Sequence, residues 1–182
     1  MPRSHTQQVF FLAAGAIALV FLLNSCAVDI PKDNSDPNRP AIELSQNDLD
    51  HYDDNGKLLW EMHADSVKFF DTAQKTEAER IKIQFSNADG QNILNVEAQH
   101  LVYDHRSGNL AFTGQIEAKD SSGISFTTAD AFWDEAGKKL WSDSPIRVER
   151  DDFSLTGVGF EYKPDEGTLT TQTGHLQIIL NP

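Results

Sequence analysis

Residues Asn109 to Ala118 read NLAFTGQIEA and place Leu110, Phe112, Gly114, Ile116 and Ala118 at every second position. A period of two puts one set of side chains on one face of an extended chain and the polar set on the other. The same period runs outward in both directions. Upstream it appears in Leu94, Val96 and Ala98. Downstream it appears in Ile124, Phe126 and Thr128, then Ile146 and Val148, then Phe153 and Leu155, then Val158, Phe160 and Tyr162, and last Leu176, Ile178 and Leu180. Many short runs of this kind predict an all-β body of half-buried antiparallel strands. Turn clusters fall between the runs: Asp53 to Gly56, Asn87 to Gly90, His105 to Gly108, Ser121 to Gly123, Glu135 to Gly137 and Asp165 to Gly167. Each ends in a glycine, which tolerates the positive φ of a tight hairpin. Thr72 to Arg80 (TAQKTEAER) reads as a long polar loop in preference to a short helix.

The pattern also repeats. Tyr103, Trp133 and Tyr162 lie 30 and 29 residues apart, and Leu110, Leu140 and Leu169 share that spacing. Gly114 lines up with Ser144, and Ile116 with Ile146. A repeat of this length suggests stacked hairpins that share one continuous core. An open ladder has two free edges. Its last strand, HLQIIL, carries no charged side chain and suits pairing with a strand of another chain, unless the fold itself covers it.

The chain divides into three parts. Residues 1–25 form a signal or anchor segment: a polar start with Arg3, then the 15-residue apolar run Val9 to Leu23, with no acidic residue. Leu23-Asn24-Ser25-Cys26 resembles a bacterial lipobox, in which the cysteine is acylated. The uncharged stretch Thr6 to Val28 covers 23 positions, so an uncleaved membrane-spanning helix is the alternative. Either way the body is expected on the far side of the inner membrane, its periplasmic face. Residues 26–41, with three prolines, read as a flexible tether. Residues 42–182 are the β domain.

Composition excludes several functions. The net charge is −13 and no basic stripe exists, so no nucleic-acid partner is expected. The one cysteine, Cys26, permits neither an intrachain disulfide nor a cysteine-based metal site. The six histidines form no HExxH or close pair, and neither a GxSxG elbow nor a P-loop is present. Gly157-Val158-Gly159 lies inside a strand run, where a bulge or a close backbone approach explains it. Paired acids such as Asp53 with Asp54 and Asp165 with Glu166 sit in turns, where solvation explains them. The expectation is a binding protein and not an enzyme, with no cofactor and no metal.

The anchor, the tether, Asp54 to Asp65 (DNGKLLWEMHAD) and Gly123 to Thr170 resemble the LptC family, the periplasmic component of lipopolysaccharide export. Leu140-Trp141-Ser142-Asp143-Ser144-Pro145-Ile146-Arg147-Val148 is similar to the family's L-x-S-x-x-P-V-x-V stretch, and Leu155-Thr156-Gly157-Val158-Gly159 to its L-x-G-x-G stretch. The resemblance implies an open, twisted β-jellyroll with an apolar groove, a ladder shared with LptA and the N-terminal domain of LptD. It implies a component that accepts lipopolysaccharide from an inner-membrane ABC transporter and passes it to an LptA-like periplasmic bridge protein. The groove it implies is lined by Phe85, Leu94, Val96, Tyr103, Phe112, Ile116, Phe126, Trp133, Ile146, Val148, Leu155 and Phe160. The C-terminal docking edge it implies carries Leu176, Ile178 and Leu180. A second reading is an anchored structural or assembly lipoprotein that docks protein partners through its sheet edges and binds no lipid.

Overall fold

The computed structural model describes residues 36–178. Nine strands follow one another: β1 (Ile42–Tyr52), β2 (Leu58–Phe70), β3 (Lys75–Ser86), β4 (Asn92–Asp104), β5 (Leu110–Asp120), β6 (Ser125–Asp134), β7 (Lys139–Arg150), β8 (Phe153–Lys163) and β9 (Thr168–Ile178). They form one antiparallel sheet in strict chain order, and β1 and β9 do not pair with each other. Among the described residues no helix is long and apolar enough to cross a membrane. The anchor segment, Cys26 and most of the tether lie outside the described residues, as does Leu180.

The loop expected over Thr72 to Arg80 is only four residues of turn, Asp71 to Gln74; Lys75 onward is β3. The inward positions here are Thr76 and Ala78, both buried, while Lys75, Glu77 and Glu79 sit half-buried between them. Small inward side chains make the alternation invisible to a search for large apolar residues. The β6–β7 turn differs in detail as well, because Lys138 and not Gly137 adopts the positive φ, at 48°.

A single row of irregularities crosses the sheet at mid-strand. Pairing skips Gln46 opposite Asp65, Asp65 opposite Arg80, and Arg80 opposite Gln99. It shifts between Glu97 and His100, between Thr113 and Ile116, between Thr128 and Phe132, and between Ser142 and Pro145. It skips Gly159 opposite Gln172. Positive φ angles mark the row at Gln46, Arg80, Gly114, Gln115 and Gly159. These aligned breaks in pairing, with true register shifts from β4 to β8, bend the strands at the same height, so the sheet folds over along this line into two leaves. One leaf carries the β1–β2, β3–β4, β5–β6 and β7–β8 turns, and the other carries the remaining four.

The bend also changes which parity points inward. In β3 the buried set passes from Thr76 and Ala78 to Ile81, Ile83 and Phe85; in β6 it passes from Phe126 and Thr128 to Ala131 and Trp133. In β8 Phe160 and Tyr162 are buried but Val158 is 46% exposed, because the positive-φ Gly159 between them resets the alternation. The unbroken run Val158, Phe160, Tyr162 expected from sequence is therefore two half-strands. At the β6–β7 crossing, buried Ser142 and half-buried Ser144 both donate to Asp130 at 2.5 Å, and Thr128 donates to the Pro145 carbonyl at 3.0 Å. Proline fits at this bulge, where its missing N–H leaves no ladder bond unmade.

Candidate functional site

The space between the leaves is the candidate site. Its lining is built from alternate residues of each half-strand, whose side chains fill the space of about 10 Å that separates packed sheets. Ten of the twelve groove positions expected from sequence are buried here: Phe85, Leu94, Val96, Phe112, Ile116, Phe126, Trp133, Ile146, Val148 and Phe160. Tyr103 and Leu155 are half-buried against the same cluster. The lining has additional members that the expected groove did not include, chiefly Trp60, Met62, Ile81, Ile83, Leu101, Leu140 and Tyr162. The Trp60, Met62, Ala64 alternation was a legible signal for three interior positions of β2.

The aromatic repeat acquires a structural meaning. Tyr103, Trp133 and Tyr162 all stand on one leaf and each meets an aromatic ring of the other. Tyr103 meets Trp60 with centroids 5.5 Å apart, Trp133 meets Phe85 at 4.2 Å, and Tyr162 meets Phe126 at 4.5 Å. These three crossbars hold the leaves together at successive levels along the molecule. Two of them carry a hydrogen bond across the interior. Tyr162 donates to Asp120 at 2.5 Å, and the Tyr103 hydroxyl lies 3.4 Å from His51 Nε2. Asp120 is 6% exposed and also accepts from Ser122 and from the Ile124 amide, so it closes its own turn and anchors the crossbar together. Burial and the Asp120 carboxylate push the Tyr162 phenol well above its ordinary pKa. Burial lowers the His51 pKa; Glu135 opposes that shift, and Lys138 and His105 add to it.

The rims of the two leaves are tied along themselves. On one, Lys57 donates to the Ala88 carbonyl and the Ser121 amide to the Ile93 carbonyl. On the other, the His105 amide donates to the Gln74 carbonyl and the Glu135 amide to Asn109. Among the described residues no backbone hydrogen bond joins one rim to the other. A cleft of about 320 Å³ lies in the seam between them. Asp53, Lys57 and Asn87 from one rim and Glu135, Lys138 and Asp165 from the other surround it, and Leu59, Ile93 and Trp133 form its floor. A polar mouth over an apolar floor suits an amphiphile.

The edge strands are less buried than the rest. In β1 Ile42 and Tyr52 are exposed, and in β9 Leu176 is 56% exposed. Of the docking-edge residues, Ile178 ends β9 and Leu180 is outside the described residues. Among the described residues no group of three His, Cys, Asp or Glu side chains is placed to hold a metal ion.

No curated protein sequence matches the chain. A solved structure with this fold is LptH from Pseudomonas aeruginosa, described as the LptA homologous periplasmic component of the conserved lipopolysaccharide transport device. The two share 8% identity with a TM-score of 0.52, over 68% of this chain and 95% of that one. At that identity the likeness shows the fold. The family described as lipopolysaccharide-assembly, LptC-related, matches residues 10–173. That match spans most of the sequence, including all of β1 to β8 and the first six residues of β9, and the chain belongs to the LptC-related family.

Proposed function

We propose that this protein is a lipid-carrying component of lipopolysaccharide transport. In this reading the body stands at the periplasmic face of the inner membrane, held there by acylated Cys26 or by an uncleaved N-terminal helix. It accepts lipopolysaccharide from an ABC transporter, shelters the acyl chains between its leaves, and passes them to an LptA-like bridge protein that pairs with β9. No step of bond chemistry is required. The observation that carries the reading is the seam: an apolar interior whose two walls are joined by side chains, with no backbone pairing across the opening among the described residues. Separating the rims breaks no ladder hydrogen bond. Acyl chains then take the place of the side-chain neighbours lost, at about 25 cal/mol per Å² of apolar surface kept from water.

One observation favours the scaffold reading. Phe112, Leu94 and Val148 are 0% exposed, so the protein's own side chains fill the interior. Photocrosslinking separates the two. Benzoylphenylalanine at Phe112 faces the interior, and at Thr113 it faces outward. The transport reading expects lipopolysaccharide adducts in cells from position 112 and not from 113. Adducts with protein partners alone, from edge positions alone, would leave an anchored scaffold.

A further inference from the structure

At the β1 end of the interior the leaves meet through His51, Trp60 and Tyr103. His51 stacks on Trp60 at 5.0 Å, and Tyr103 stands edge-on to Trp60 from the opposite leaf. Inside this nest the Trp60 Nε1–H is buried and has no hydrogen-bond partner among the described residues. Trp133, in the next crossbar, does have one, donating to Glu135 at 2.7 Å. An unpaired buried donor is costly, and phenylalanine at position 60 would avoid the cost while keeping the aromatic packing. The indole N–H can only donate, and the nearby Tyr103 hydroxyl makes one long contact, 3.4 Å, to His51. A carbonyl oxygen has two lone pairs and brings no donor of its own, so one such atom can accept from an indole N–H and a phenol O–H together. A water would bring two more donors that need acceptors. The nest also lies where a lipid's polar head would pass into its chain. His51 is half-buried and feels Glu135 and Lys138 of the seam, whereas Met62 and Ile83, paired beyond Trp60, continue the apolar wall.

We propose that Trp60 Nε1 and the Tyr103 hydroxyl form a polar subsite within the apolar interior that takes the ester carbonyl at the head of an acyl chain. This rests on the lipid-carrying reading and adds to it a preference for acyl over alkyl lipids. The test uses the full chain in a carbonyl-free detergent, with two probes of equal chain length: 1-monomyristoylglycerol, which has the carbonyl, and 1-O-tetradecylglycerol, which lacks it. The wild-type protein is expected to bind the ester about three- to tenfold more tightly than the ether, the range one hydrogen bond supplies. Trp60→Phe is expected to lose that preference while still binding both. A second readout is direct: in the wild-type protein the Trp60 indole proton, assigned by its absence from the Trp60→Phe spectrum, moves downfield with the ester and not with the ether. Equal affinity for both probes in the wild type, a preference that survives in Trp60→Phe, or an unmoved indole resonance overturns the subsite and leaves the lipid-carrying reading intact. Failure of both probes to bind the wild type overturns the two together.

Discussion

At the scale of single residues, the interior tolerates little change. Phe112 is fully enclosed, so Phe112→Ala removes its contacts and leaves a cavity; a loss of about 3–5 kcal/mol is expected in urea unfolding. Tyr162→Phe tests the deepest crossbar. It removes one of several donors to Asp120, and a hydrogen bond to a charged acceptor is worth about 1.5–3 kcal/mol, to be read in the same assay. His51 predicts a pH dependence. Its folded-state pKa is lowered, chiefly by burial, so the unfolded chain binds the proton more readily. The stability it contributes is present above the ordinary histidine pKa and is lost as pH falls from about 6.5 toward the lowered value. His51→Gln is expected to flatten the decline in melting temperature across that window. The sequence exposed some of these residues and hid others. Phe112 was legible because its neighbours alternate cleanly. Asp120 was not, because an acid ahead of Ser-Ser-Gly reads as an ordinary turn former, and nothing local reveals that a tyrosine 42 residues away shares it.

At the scale of strands, the bend decides what could be read. Half-strands announced themselves wherever large apolar residues alternate. The line that joins them did not, because it consists of polar side chains and small residues whose common height emerges only when nine strands are aligned. Parity restarts at Arg80 and Gly159, so a pattern read straight through β3 or β8 assigns one half wrongly. Gly157 and Gly159 were legible as a bulge or close approach, and the structure supplies the reason. A Cβ on Gly157 would overlap the Thr173 carbonyl oxygen, which belongs to the β9 backbone. Gly157→Ala is therefore expected to displace β9. Hydrogen exchange should rise several-fold at β9 amides while β3 to β6 stay protected. The edge itself predicts a second effect. Leu176→Lys places a charge on an exposed strand, as natural edge strands do to prevent pairing. It should abolish capture of an LptA-like partner and leave lipid crosslinking at position 112 unchanged.

For the molecule as a whole, two leaves share one polypeptide fold line and face each other across a seam closed by aromatic crossbars. The all-β class, the open ladder and the spacing of the aromatic repeat followed from the sequence; the partner ring each of those aromatics meets did not. The seam did not, since it depends on which rims fail to pair, and no local pattern encodes the absence of a bond. The central claim is that this seam parts to admit acyl chains while both leaves keep their ladders. Paired spin labels at Ala88→Cys and Ala136→Cys, on opposite rims in a Cys26→Ser background, measure it by double electron–electron resonance. The account predicts that the label-to-label distance lengthens when lipopolysaccharide is added, with the strand content unchanged by circular dichroism. A distance that stays fixed while lipopolysaccharide is bound would contradict it.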